Sequence, residues 1–321
     1  LDLYLYFALV ALGFVMLIKG AGYLVEGASA LAKRFNVSEL AIGLTIVALG
    51  TSAPELVVNV LSGINGHSEV VFGNVIGSNI FNLFLILGVS GTIYPLVVQK
   101  TTVVRELPFS LFITLVLYFL LNDTIFSPNA SPTSSTFDGI ILITLFGLFL
   151  AYIFTSMKND ELEKNEVVKS FSSFGIAWRI IIGLIGLGLG GKLVVDNAVE
   201  IANVYGVSQK LIGLTIVAAG TSLPELATSA IAAYKRQADI AIGNVIGSNI
   251  FNILLVLGLT TLITPLDYNP VLNTDIYILL GGTVLLLLFM FTINKKKLDR
   301  WESLLYLLTF IAYMVYLFMR K

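Results

Sequence analysis

The sequence predicts an all-α fold: a polytopic membrane protein with ten transmembrane helices arranged as two inverted five-helix repeats. Three observations lead there. Of 321 residues, 57% are apolar and only 12% charged, with a mean hydropathy of +0.92, a balance outside the soluble globular range. Apolar runs of about twenty residues, long enough to cross a ~30 Å hydrocarbon core as helices, recur along the whole length. Two blocks of sequence also recur at one fixed offset of 170 positions. Residues 43–56 read GLTIVALGTSAPEL and residues 213–226 read GLTIVAAGTSLPEL, twelve of fourteen identical, while GNVIGSNIFN occupies both 73–82 and 243–252. Such a match in register is the mark of an internal duplication.

The expected spans are 3–32, 38–64, 69–94, 104–121, 137–157, 171–203, 208–234, 239–263, 273–294 and 302–319. Span 1 is too long for a cleavable signal peptide, and its Lys19 lies inside the apolar run rather than before it, so it is expected to be retained. Spans 2 and 3 carry the first copies of the two motifs; spans 7 and 8 carry the second. Span 6 is glycine-rich, with GLIGLGLGG at 183–191. Spans 4, 5, 9 and 10 are apolar runs without a repeated motif. The polar connections at about 122–136 and 158–170 are each under twenty residues, too short for a soluble domain. The division expected is a first repeat over 1–157, a cytoplasmic link over 158–170 and a second repeat over 171–321.

Orientation follows from the basic residues. With the N-terminus outside, the inner loops hold thirteen Lys and Arg, among them Lys33, Arg34, Lys235 and Arg236, against three outside, Lys210, Arg320 and Lys321. That bias is the positive-inside signature and places both termini outside the cell membrane. Five spans per repeat is an odd number, so the second repeat inserts upside down relative to the first. A monomer in the lipid bilayer is expected, with no nucleic-acid partner.

The chemistry concentrates in the repeated blocks. Glu55 and Glu225 each sit mid-span, where a carboxylate costs at least ~3 kcal/mol unless it meets a cation. Thr51, Ser52 and Glu55 share a helix face with Ala48 a turn earlier, and Ala218, Thr221, Ser222 and Glu225 repeat the pattern. Pro54 and Pro224 have no N–H to give the carbonyls of Gly50 and Gly220, and distort the turn around them. Asn74, Ser78 and Asn82 recur at four-residue spacing, as do Asn244, Ser248 and Asn252, offering neutral oxygens on one face. Gly73 and Gly77, with Gly243 and Gly247, form GxxxG patterns that admit close helix packing. Carboxylate, hydroxyl and carbonyl oxygens together suit a hard cation such as Ca²⁺ or Na⁺. The helices of spans 2, 3, 7 and 8 are therefore expected to form an ion site. Taken singly, a Ser, Thr or Asn in such a helix more often packs or bonds to a neighbour, and it is the duplicated glutamates that tip the reading. Glu26 and Asp196 also correspond at the same offset, and packing and gating both remain open for them. His67 falls in an outer loop and, with no cysteine in the chain, cannot build a zinc site.

GTSAPE and GTSLPE, each followed by GNVIGSNIFN, resemble the α-repeats of the cation/Ca²⁺ antiporter superfamily, of which sodium/calcium exchangers are a branch. The resemblance implies that Glu55 and Glu225, with the Thr51 and Thr221 carbonyls, bind Ca²⁺. It implies that Ala48, Ser52 and Ser78, with Ala218, Ser222 and Ser248, complete flanking Na⁺ sites, and that Asn82 and Asn252 line the centre. Ca²⁺ and Na⁺ are then transported ions, with no cofactor. The potassium-dependent branch carries Asp where this chain has Asn252, and proton-coupled exchangers carry a further acid in the GN-containing motif that neither copy here has. The short link lacks a large cytosolic Ca²⁺-sensing domain, which points to a prokaryotic type. Na⁺/Ca²⁺ exchange by alternating access, with helices 1 and 6 sliding over the site helices, is the favoured expectation, and Ca²⁺/H⁺ exchange its alternative. A channel would show a continuous polar path rather than polar residues clustered at mid-depth. An intramembrane enzyme would need a nucleophile and base or a metal centre, for which one His and no Cys are poor material.

Overall fold

The computed structural model describes residues 3–123, 132–156, 171–207, 218–291 and 296–320. Helix α1 (Leu3–Phe35) is followed by α2 (Glu39–Thr51), α3 (Ala53–Ile64) and α4 (Ser68–Ile93). After strand β1 (Leu96–Val97) come α5 (Thr102–Leu121), β2 (Thr133–Ser134) and α6 (Thr136–Ser156). The second half holds α7 (Ser173–Val204), α8 (Leu223–Tyr234) and α9 (Ala238–Ile263), then β3 (Leu266–Asp267), α10 (Pro270–Phe289), β4 (Lys297–Leu298) and α11 (Arg300–Met319). Among the described residues, eight helices are long and apolar enough to cross a membrane, and the bent pair α2 and α3 makes a ninth. The first ten residues of expected span 7, 208–217, lie outside the described residues, as does the whole of the expected link at 158–170.

Three features depart from the sequence expectations. The distortion anticipated at Pro54 is a complete break: Ser52 (φ −83°, ψ 6°) leaves the helix, and α3 starts again with Pro54 in its first turn, bent 47° from α2. A first-turn proline loses nothing, because that N–H would have no helical partner anyway. Ser222 (φ −91°, ψ 6°) precedes α8 in the same way. Second, the fold is not purely helical. Strand β1 pairs with β4, and β2 with β3, all antiparallel. Each pair joins one half of the chain to the other. Third, α10 ends at Phe289, short of the expected 294, because the Met290 carbonyl accepts from the Lys296 N–H at 2.9 Å and turns the chain towards β4.

The duplication also governs how helices stop. Asn36 (φ 59°) follows α1 and Gly206 (φ 73°) follows α7, 170 positions later; Gly66 (φ 78°) follows α3 and Arg236 (φ 63°) follows α8 at the same offset. A left-handed residue closes each helix end. Arg236 holds this conformation although a side chain there costs roughly 1 kcal/mol or more.

The core is α9, in which every residue from Ile240 to Phe251 is buried. Helices α1 and α7 lie at the periphery, crossing each other antiparallel, with Phe14, Ile18, Ile181 and Ile185 exposed as lipid-facing surface. Glycines let their backbones touch. A methyl on Gly20 would lie 2.9 Å from the Gly183 carbonyl oxygen, and one on Gly190 would lie 2.8 Å from that of Gly13. With no hydrophobic force between helices in lipid, this close van der Waals fit is what holds the pair.

Candidate ion site

The breaks at Ser52 and Ser222 place Glu55 and Glu225 in the first turns of α3 and α8, where the positive end of the helix dipole favours a carboxylate. Both side chains are 1% exposed. Each is held by the other half of the chain: Ser52 Oγ donates to Glu225 Oε1 at 3.0 Å, and Ser222 Oγ donates to Glu55 Oε1 at 3.2 Å. Ser222 Oγ also lies 3.2 Å from Ser78 Oγ on α4. The threonines cross over too, with Thr51 Oγ1 donating to Asn244 Oδ1 at 3.1 Å and Thr221 Oγ1 to Asn74 Oδ1 at 3.3 Å.

Asn74 and Asn244 thus differ from the expectation that they offer free oxygens. Asn244 is further occupied, donating Nδ2 to Ser229 Oγ at 3.0 Å and towards the Glu225 carbonyl at 3.4 Å. These two asparagines brace the threonines. Ser78, Ser248, Asn82 and Asn252 are buried, and Ala48 is buried on the α9 side, where Gly247 packs against it. The side chain of Ala218 lies outside the described residues. Close packing of the GxxxG glycines holds for α9, where methyls on Gly243 and Gly247 would lie 2.8 Å from the Leu40 carbonyl and 2.7 Å from Ala48 Cβ. The positions that Gly73 and Gly77 would meet by the same symmetry, 210–218, fall largely outside the described residues.

The polar accounting leans towards acceptors, although Asn74 Nδ2 is also without a partner among the described residues. Buried and without a hydrogen-bond donor among the described residues are Glu55 Oε2, Glu225 Oε2, Asn82 Oδ1 and Asn252 Oδ1. Four buried oxygens in want of positive charge are a costly arrangement unless a cation fills it. Among the described residues no cluster of three or more Asp, Glu, His or Cys could hold a metal ion, so neutral oxygens must supply whatever two carboxylates do not.

Sequence reasoning missed Asn79 and Asn249. Both are buried, and they join α4 to α9 through paired amides. They lie inside the identical ten-residue blocks, three positions before Asn82 and Asn252, and that shared register was the available signal. Asn59 was missed as well; its Nδ2 donates to the Glu55 carbonyl at 2.7 Å. Glu26 and Asp196 have diverged. Glu26 pairs with Lys235 at 2.9 Å and Arg179 at 3.7 Å, whereas Asp196 pairs with Lys192 of its own helix at 3.2 Å and is exposed.

The family model described as "Sodium/calcium exchanger protein" matches residues 5–155 and again residues 175–319. The chain belongs to the sodium/calcium exchanger family. It is 32% identical over 356 aligned positions to the sodium/calcium exchanger MaX1 of Methanosarcina acetivorans, covering 97% of this chain and 98% of that one. It is 36% identical over 272 residues to the inner membrane protein YrbG of Escherichia coli, covering 82% and 81% of the two chains. Among solved structures it matches the sodium-calcium exchanger NCX_Mj, soaked with 10 mM Na⁺ and zero Ca²⁺, with a TM-score of 0.83 and 33% identity over 98% of this chain and 99% of that one. This member of the exchanger family is a mostly helical membrane protein with the same fold.

Proposed function

We propose that the chain exchanges Na⁺ for Ca²⁺ across the cell membrane by alternating access, electrogenically and without K⁺. The observation that carries this reading is the set of four buried oxygens, on Glu55, Glu225, Asn82 and Asn252, that have no donor among the described residues. Carboxylates with hydroxyl and amide oxygens match the ligand preference of hard cations. Thr51 and Thr221, whose hydroxyls are tied to Asn244 and Asn74, have their carbonyls to give. Ser52, Ser78, Ser222 and Ser248 add hydroxyl oxygen around the two carboxylates, and the family resemblance assigns Ala48 and Ala218 to the flanking Na⁺ sites, with the Ala48 carbonyl already accepting the Ser52 N–H at 2.9 Å.

With only Glu55 and Glu225 charged, one Ca²⁺ makes the site neutral, whereas three Na⁺, the number implied by the family resemblance, leave it at +1. One pocket then serves the two ions in turn. Asn252 adds no third charge, which fits independence from K⁺. In this reading the ten spans form two inverted repeats, over 1–157 and 171–321, joined by a cytoplasmic link, with both termini outside. The α1 and α7 pair is the moving part. Its glycine crossing makes it one body able to slide past α2 and α8, against which it packs.

The test is Ca²⁺ efflux from right-side-out vesicles loaded with radioactive Ca²⁺ and bathed in Na⁺. An imposed inside-positive potential should slow efflux, since moving one charge costs about 2.3 kcal/mol per 100 mV. Voltage-independent exchange would mean two Na⁺ or two H⁺ per Ca²⁺, and stimulation by K⁺ would overturn the assignment of Asn252.

A further inference from the structure

An asparagine beside a cation has two ends of nearly equal shape and opposite effect, since its carbonyl oxygen attracts the ion and its NH₂ repels it. Something must choose. Asn252 Nδ2 donates to Asn79 Oδ1 at 3.1 Å, and Asn82 Nδ2 donates to Asn249 Oδ1 at 3.0 Å. With their NH₂ groups engaged, Asn252 and Asn82 keep their Oδ1 atoms as the unbonded ends. Asn79 and Asn249 are themselves fixed, because Asn79 Nδ2 donates to the Asn249 carbonyl at 3.2 Å and Asn249 Nδ2 to the Asn79 carbonyl at 3.3 Å. Both carbonyls lie just ahead of π-helical turns, Phe81–Ile86 in α4 and Asn252–Leu257 in α9. Such turns move the backbone ladder from i−4 to i−5 partners, and this change of winding leaves acceptor capacity at the junction. Turning either amide over would set NH₂ against NH₂ and carbonyl against carbonyl.

We propose that Asn79 and Asn249 are positioning residues that set ion preference by holding the amide oxygens of Asn252 and Asn82 towards the cargo. The proposal rests on reading the glutamate cluster as the cargo site. Each bracket crosses between the two halves, so it forms only when both are assembled. A divalent ion interacts about twice as strongly with a fixed carbonyl dipole as a monovalent ion at equal distance. Loss of the bracket therefore weakens Ca²⁺ more than Na⁺.

The experiment is a double-mutant cycle read by vesicle flux, with half-saturation for Ca²⁺ and Na⁺ and the maximal rate determined separately. Asn79→Ala should raise the Ca²⁺ half-saturation about tenfold and that for Na⁺ about threefold, with the maximal rate within about twofold. In an Asn252→Ala background the same change should add nothing, because the oxygen it orients is gone. Asn249→Ala with Asn82→Ala is the mirror cycle and should behave alike. Additive effects, or equal effects on both ions, would overturn the proposal. So would loss of a monodisperse protein in both Asn79→Ala and Asn249→Ala but not in Asn82→Ala and Asn252→Ala, which would assign the pair to assembly. Glu55→Gln serves as the control: if it still transports Ca²⁺ the cargo site itself is misplaced, whereas its inactivity alongside additive cycles sinks the bracket alone.

Discussion

Ser52 donates its hydroxyl to Glu225 at 3.0 Å, across 173 positions of sequence, and so one half of the chain tethers the carboxylate of the other. A hydrogen bond to a charged group contributes about 1.5–3 kcal/mol. Ser52→Ala is expected to raise half-saturation for both ions by roughly tenfold through a less constrained Glu225, an effect on the same scale as that bond. Ser222→Ala should do the same through Glu55. Flux titrations that find either variant unchanged would show that these serines do not orient the carboxylates.

The two glutamates themselves should be indispensable. Glu55→Gln or Glu225→Gln removes half of the charge that replaces the ion's hydration shell, and each is expected to abolish Ca²⁺ transport. Stability should hold or rise slightly, since an unpaired buried charge is removed. Size-exclusion chromatography and a thermal melt beside the flux assay check both halves of this expectation.

Glu26 on α1 reaches Lys235, just past the end of α8, while its duplicate Asp196 pairs, among the described residues, with Lys192 of its own helix. Partly exposed pairs of this kind contribute at most about 1 kcal/mol, so Glu26→Gln should barely move the melting temperature. Because the pair spans the boundary between α1 and the α8 end, its loss should change apparent ion affinity on one face of the membrane only. Asp196→Asn should change neither face. Sided flux in inside-out and right-side-out vesicles separates these outcomes, and equal shifts on both faces would remove the pair from any role in access.

The distribution of Lys and Arg predicts the side on which each connection lies. A single cysteine replacing Glu163 should react with an impermeant thiol reagent only after the cells are opened, and the natural chain contributes no background, having no cysteine. Labelling in intact cells would reverse the orientation.

The mostly helical membrane architecture and the two buried glutamates were legible because apolar length and a near-identical repeat are properties of the sequence itself. The break at Ser52 was less so. A proline two positions on marks both a kinked helix and the first turn of a new one, and only the backbone at Ser52 distinguishes them. Strands β1 to β4 have two residues each, too few for alternation to register. Asn79 and Asn249 escaped because a four-residue stripe drew the reading to Asn74, Ser78 and Asn82. The partners that matter for Asn79 come from a helix 170 positions away. Periodicity along one helix carries no information about which atom another helix will present.

The crossing of α1 and α7 imposes an unusual genetic condition. A side chain added at Gly50 would meet Leu184, and one at Gly220 would meet Val195. Either clash could be relieved by trimming the neighbour in a second mutation. At Gly20 the nearest atoms are the Gly183 carbonyl oxygen and the Leu187 amide nitrogen, and at Gly183 they are the Leu24 amide nitrogen and the Gly20 carbonyl oxygen. No codon change shortens a backbone. A selection for suppressors should therefore recover compensating changes at position 184 for Gly50→Ala, while Gly20→Ala and Gly183→Ala yield only reversion or changes that shift a whole helix.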